Sequence, residues 1–140
     1  MNIVLHMIEN IIVFLGEIML IKFENINGRK IIDVRTTSEF LTMNMTKYNI
    51  PVIDELQHQK IKSFYPLAIF IISIGIIKNR KKIKKLLLEI SNNRNDEVII
   101  ACSRGRLRSP ITYLYARIIS VKCKILWGGL KKKYYLKSKQ

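Results

Sequence analysis

From residue 18 onward, short apolar runs alternate with stretches whose apolar positions recur at helical spacing. Residues 18–23, 30–34, 49–53, 98–101 and 124–127 read as strands, and the second runs directly into a polar turn at 35–38. Residues 54–64 read as a helix, 66–77 as a buried apolar helix too short to span a bilayer, and 110–120 as a further helix. Residues 78–90 form an amphipathic pattern, with Ile83, Leu86, Leu87 and Ile90 on one face and Lys81, Lys82, Lys84 and Lys85 elsewhere. Strands alternating with helices predict an α/β fold with a central parallel sheet and helices on both faces. No internal repeat or linker interrupts the pattern.

The first segment stands apart. Residues 3–21 are apolar enough to suggest a membrane span, but they carry His6, Glu9, Asn10 and Glu17. An acidic side chain near the bilayer centre costs about 2.5–3.5 kcal/mol, so no transmembrane helix is expected. A signal peptide is not expected either, because no basic leader or small-residue cleavage site is present. Residues 1–18 are read as an N-terminal extension, an appended helix or the product of a start assigned too early. Residues 19–140 are read as a single domain with a basic C-terminal tail.

With 140 residues, 49% hydrophobic and 25% charged, the chain belongs with folded single domains. Two cysteines, Cys102 and Cys123, exclude a disulfide scaffold and a four-cysteine zinc site and suggest a reducing, cytoplasmic setting. The net charge of +15 is unevenly placed: residues 1–77 hold seven basic and seven acidic side chains, and residues 78–140 hold eighteen and three. A one-sided excess of this kind fits a polyanion, nucleic acid before anionic membrane, although a Lys- and Ile-rich composition has other sources. Lys81, Lys82, Lys84, Lys85, Lys131, Lys132 and Lys133 are the candidate phosphate contacts, with solvated surface charge as the alternative.

The segment most informative about chemistry is 98–109, VIIACSRGRLRS. A buried strand delivers Cys102 to its carboxyl end, a six-residue loop follows, and Ser109-Pro110 reads as the N-cap and first position of the next helix. Loop N–H groups and a helix N-terminus form an anion cradle there. Arg104, Arg106 and Arg108 add positive charge around the sulfur, so the thiol is expected to ionise below the ordinary value of about 8.5 and act as a nucleophile. Gly105 permits close backbone approach. Cys123 sits within a late apolar strand and is read as structural, and His6 and His58 lack metal-ligand spacing and are read as incidental.

These residues resemble a known family. Asp33-Val34-Arg35, Ser38-Glu39-Phe40 and Asn49-Ile50-Pro51-Val52 are similar to the opening of a rhodanese domain. Cys102-Ser103-Arg104-Gly105 with Arg108-Ser109, and Trp127-Gly128-Gly129-Leu130-Lys131, resemble the narrower rhodanese-like domain of tRNA 2-selenouridine synthase. The resemblance covers about residues 19–136, with Arg106 in place of a family glycine and Leu130 in place of a family tyrosine. No G-x-x-x-x-G-K-[ST] motif is present, whereas that family couples its rhodanese part to a P-loop domain.

The resemblance implies the chalcogen-handling subunit of a two-chain enzyme with a separate P-loop partner and tRNA as substrate, no membrane and no bound cofactor. The reaction implied is exchange of sulfur for selenium at carbon 2 of the wobble uridine, through a geranylated thiouridine, with selenophosphate or a persulfide as donor. Cys102 would carry selenium as a transient selenenyl sulfide, with Arg104, Gly105, Arg108 and Ser109 around the anion. Asp33 and Arg35 are read as a structural pair.

Two other readings remain open. One is a free-standing thiosulfate-type sulfurtransferase. The other is a cysteine phosphatase, because Cys102 and Arg108 are spaced as C-x5-R, although Ala101 stands where that family has histidine. A phosphatase would need a general acid such as Asp54 or Asp96.

Overall fold

A computed structural model describes residues 2–103 and 107–131. Its elements are α1 (Asn2–Met19), β1 (Leu20–Ile21), β2 (Ile31–Asp33), α2 (Thr37–Thr42), β3 (Tyr48–Asn49), α3 (Glu55–Ser63), α4 (Ala68–Lys78), α5 (Arg80–Ile90), β4 (Val98–Ala101), α6 (Arg108–Ile118) and β5 (Cys123–Leu126). The five strands form one parallel sheet in the order β1-β5-β4-β2-β3. The fold is the expected α/β type, a central parallel sheet with helices around it.

Strand β4 is central because every side chain it carries can be buried on one face or the other. Val98 and Ile100 join the larger core, with Ile32, Ile125 and the helical residues Ile61, Ile72, Ile83, Leu87 and Tyr113. Ile99 and Ala101 point to the opposite face, where Ile21, Ile26, Ile31, Leu126 and Leu130 close a smaller cluster. The continuous apolar run of β4 is therefore the signature of a strand covered on both sides.

Several elements differ from the sequence expectation in extent. Strand β1 is two residues long because α1 runs directly into it and a 3-10 turn (Phe23–Asn25) follows. Strand β3 ends at Asn49; Ile50 still donates to Asp33 O, at 2.9 Å, but Pro51 has no N–H with which to continue the ladder. The expected polar turn at 35–38 opens helix α2: Thr36 accepts from Glu39 N and the Glu39 side chain reaches back to Thr36 N, a capping box.

Helix α4 is apolar but for Ser73 and Lys78, yet it buries only Ala68, Ile72, Gly75 and Ile76; Phe70 is 67% exposed and Ile77 60%. Its buried side packs so closely that a Cβ on Gly75 would lie 2.5 Å from Val52 O. Helix α1 leaves most of its apolar side chains in solvent. Among the described residues, no helix is long and apolar enough to cross a membrane.

Candidate active site

The site is assembled where β2 and β4 end. Asp33, fully buried, accepts from Arg35 Nε at 3.0 Å and Nη2 at 2.7 Å, and from Arg35 N at 2.9 Å. Arg35 Nη2 also donates to Met43 O at 2.8 Å, and Asn49 Nδ2 donates to Asp33 O and Arg35 O. This knot explains the D-V-R triplet in physical terms: a buried carboxylate needs a bidentate partner, and the partner fixes the chain on either side of α2.

With α2 so placed, Glu39 faces the loop after β4. Its carboxylate accepts from Arg108 Nη1 at 2.6 Å and Nη2 at 3.3 Å, and from Ser103 Oγ at 3.0 Å. Arg108 Nη2 also donates to Ser103 Oγ at 3.2 Å. Burial by itself would raise the Glu39 pKa, but the Arg108 hydrogen bond and charge, aided by His58 and Ser103, outweigh it and hold the carboxyl at about 2. His58 Nδ1 lies 3.6 Å from Glu39 Oε1. Burial is the main influence lowering the His58 pKa below its ordinary 6.5; Arg108 and Lys62 act the same way, and Glu39 and Glu55 oppose them.

Cys102 follows the last residue of β4 and is 3% exposed. The residues after β5 hold it in place: Leu130 N donates to Cys102 O at 2.8 Å, and Lys131 N to Ser103 O at 3.1 Å. Gly128 and Gly129 allow that return because both have positive φ, 76° and 73°. Leu130 is fully buried in the smaller core cluster.

Cys102, Ser103, His58, Lys62, Arg108 and Lys131 share one cavity of about 430 Å³. Ile61, Ile72 and Leu107 give it an apolar wall. It therefore brings a thiol, an imidazole and several cations around a pocket with one apolar wall, an arrangement suited to a nucleophile acting on an anionic substrate.

The residues singled out from sequence fall as follows. Cys102, Arg108 and Lys131 meet at the cavity, but the Arg108 guanidinium is engaged by Glu39 and Ser103. Ser109 is not the N-cap. Helix α6 begins at Arg108 with Leu107 in the cap position, since Pro110 is tolerated throughout a first turn whose N–H groups have no helical partner. The buried Ser109 Oγ has no hydrogen-bond partner among the described residues. Arg104, Gly105, Lys132 and Lys133, together with Arg106, lie outside the described residues.

Lys81, Lys82, Lys84 and Lys85 are exposed on α5. Lys82 lines a separate groove with Pro51, Asp54 and Gln57. Asp54 caps α3 by accepting from Gln57 N at 2.8 Å, and neither it nor Asp96 lines the Cys102 cavity. Burial pushes the Cys123 thiol up to about 12, as suits a structural residue. Sequence reasoning missed His58 and the role of Glu39 in the site: a single histidine on a polar helix carries no local signal, and its partners come from α2 and α6.

No family model matches the chain, and no curated protein matches it. A solved structure does: the N-terminal domain of a protein described as ATP/GTP-binding, from Clostridium difficile 630. The similarity has a TM-score of 0.64 at 24% identity and covers 84% of this chain and 97% of that one. At that identity the likeness establishes the α/β fold.

Proposed function

We propose that this chain is a rhodanese-like transferase subunit in which Cys102 carries sulfur or selenium for the conversion of wobble 2-thiouridine to 2-selenouridine in tRNA. The observation that carries the reading is the placement of Cys102 at the carboxyl end of the central strand, on a cavity that also holds Lys62, Arg108 and Lys131. In open parallel sheets this edge is where ligands bind. With a thiosulfate-type donor, the Cys102 thiolate attacks the outer sulfur and a new S–S bond forms. The bond from that sulfur to the sulfonate breaks, and sulfite leaves with its electron pair. With a selenosulfate-type donor the same displacement, with sulfite again leaving, would hold selenium in that position as a selenenyl sulfide.

Two features support the reading. The S-E-F segment, part of the resemblance to rhodanese domains, is tied to the Cys102 loop by the bonds from Ser103 and Arg108 to Glu39, while the Asp33–Arg35 pair fixes the chain on either side of α2. The similar structure is the N-terminal domain of a protein described as ATP/GTP-binding, which suits a chalcogen carrier working beside a nucleotide-binding partner. The exposed lysines of α5 would meet the tRNA backbone, so binding should weaken steeply with salt.

The test is reconstitution: the full chain, a P-loop protein co-purified with it, tRNA carrying the geranylated 2-thiouridine, and selenophosphate. Selenouridine should form with the wild-type chain and not with Cys102→Ser. Equal product from Cys102→Ser would overturn the proposal.

A further inference from the structure

We propose that His58 is the proton acceptor for Cys102, with Glu39 as the residue that positions its ring; this rests on the reading of Cys102 as the reacting nucleophile. His58 comes from α3 and Cys102 from the end of β4, and both line the 430 Å³ cavity. The His58 side chain is only 15% exposed, and its Nδ1 lies 3.6 Å from Glu39 Oε1, so Nε2 is the nitrogen assigned the proton exchange. The same carboxylate is fixed by Arg108 and Ser103 and cannot swing away without breaking those bonds.

The other groups around the imidazole complete the argument. Glu39 reaches it from α2, Arg108 from α6, Lys62 and Glu55 from α3 itself, and Tyr65, before α4, and Lys131 lie on the cavity wall. Arg108 cannot give up its proton in a protein, and Glu39, held at about 2, is too weak a base near neutrality. His58, lowered chiefly by burial, is neutral at pH 7 and able to accept. In the step itself, the thiol proton moves to His58, and the Cys102 thiolate so formed bonds to the outer sulfur of the donor. Sulfite departs with the electron pair of the broken bond. The imidazolium faces the Glu39 carboxylate and returns its proton to solvent.

The test is the pH dependence of Cys102 alkylation by iodoacetamide in the full chain, with Cys102→Ser as background; Cys123, buried and shifted to about 12, does not compete. The wild-type rate should rise along a limb centred below pH 6.5. His58→Gln should lose that limb and react on the order of a hundredfold more slowly at pH 7, the low end of what a positioned base contributes. In Glu39→Gln the limb should move to lower pH, because the anion that favours the imidazolium is gone. His58→Ala should be accelerated by added imidazole, a response that a packing defect would not give.

A His58→Gln profile superimposed on wild type, or a slowed His58→Ala that imidazole leaves unchanged, would overturn the proposal. Alkylation needs no donor or tRNA. A lost limb without any sulfur loading would reject the sulfur-transfer reading and keep His58, and the reverse result would reject His58 alone.

Discussion

Replacing Glu39 by glutamine isolates the charge that holds the candidate site together. Glutamine keeps the side-chain acceptor that a capping box requires, so α2 should still start at Thr36. What is lost is the anion between Arg108, Ser103 and His58. The fall of the Glu39 carboxyl from 4.5 to about 2 corresponds to about 3 kcal/mol at about 1.4 kcal/mol per pH unit. Discounting for the fifth of the side chain left in water brings the expected loss at pH 7 to about 1–2 kcal/mol.

The sign follows from a depressed pKa. The contribution is complete above 4.5 and fades as pH falls toward 2. Urea unfolding at pH 7 and pH 3 measures it, and the gap between wild type and Glu39→Gln at pH 3 should be under half its neutral value. A gap unchanged by pH, or none at pH 7, would refute the assignment of Glu39 as the charged centre of the network.

Three further substitutions probe other parts of the account. Asp33→Asn strips the buried Arg35 of its counter-charge and should cost about 3–5 kcal/mol in urea unfolding; a loss near zero would mean that the pair is not what fixes α2. Gly75→Ala should cost about 1–3 kcal/mol, because the new methyl meets the Val52 carbonyl at 2.5 Å, and a neutral result would contradict the close packing of α4. Ser109→Ala removes a buried hydroxyl without a partner among the described residues and should leave stability unchanged or raise it by about 1 kcal/mol; a clear loss in thermal unfolding would show that the hydroxyl is bonded.

The elements that were legible in the sequence are those whose local pattern matches their final surroundings. Strand β4 is a four-residue apolar run buried on both faces, and α5 shows its buried Ile83 and Leu87 at helical spacing. Asp33 and Arg35 lie two residues apart, so their pairing was readable as well. Helix α2 was misread because Thr36, Thr37 and Ser38 suit a turn equally well, and only the reach of Glu39 back to Thr36 decides for a helix. A nearly all-apolar segment such as α4 has no clear period to reveal which side remains in water.

The core of the site is a long-range product. Glu39 and Arg108 are 69 positions apart, and nothing near either residue announces the other. Nor does the pattern around His58 foretell that helix α3 will carry it to the Cys102 cavity. Residue types at a strand end could suggest a nucleophile; its proton acceptor required the fold.

The central claim is that Cys102 takes a chalcogen atom from a donor. Intact-mass spectrometry of the full chain after incubation with thiosulfate measures this directly. The account predicts the gain of one sulfur atom, reversed by a thiol reductant and absent from Cys102→Ser. No gain in the wild-type chain, or an equal gain in Cys102→Ser, would contradict it.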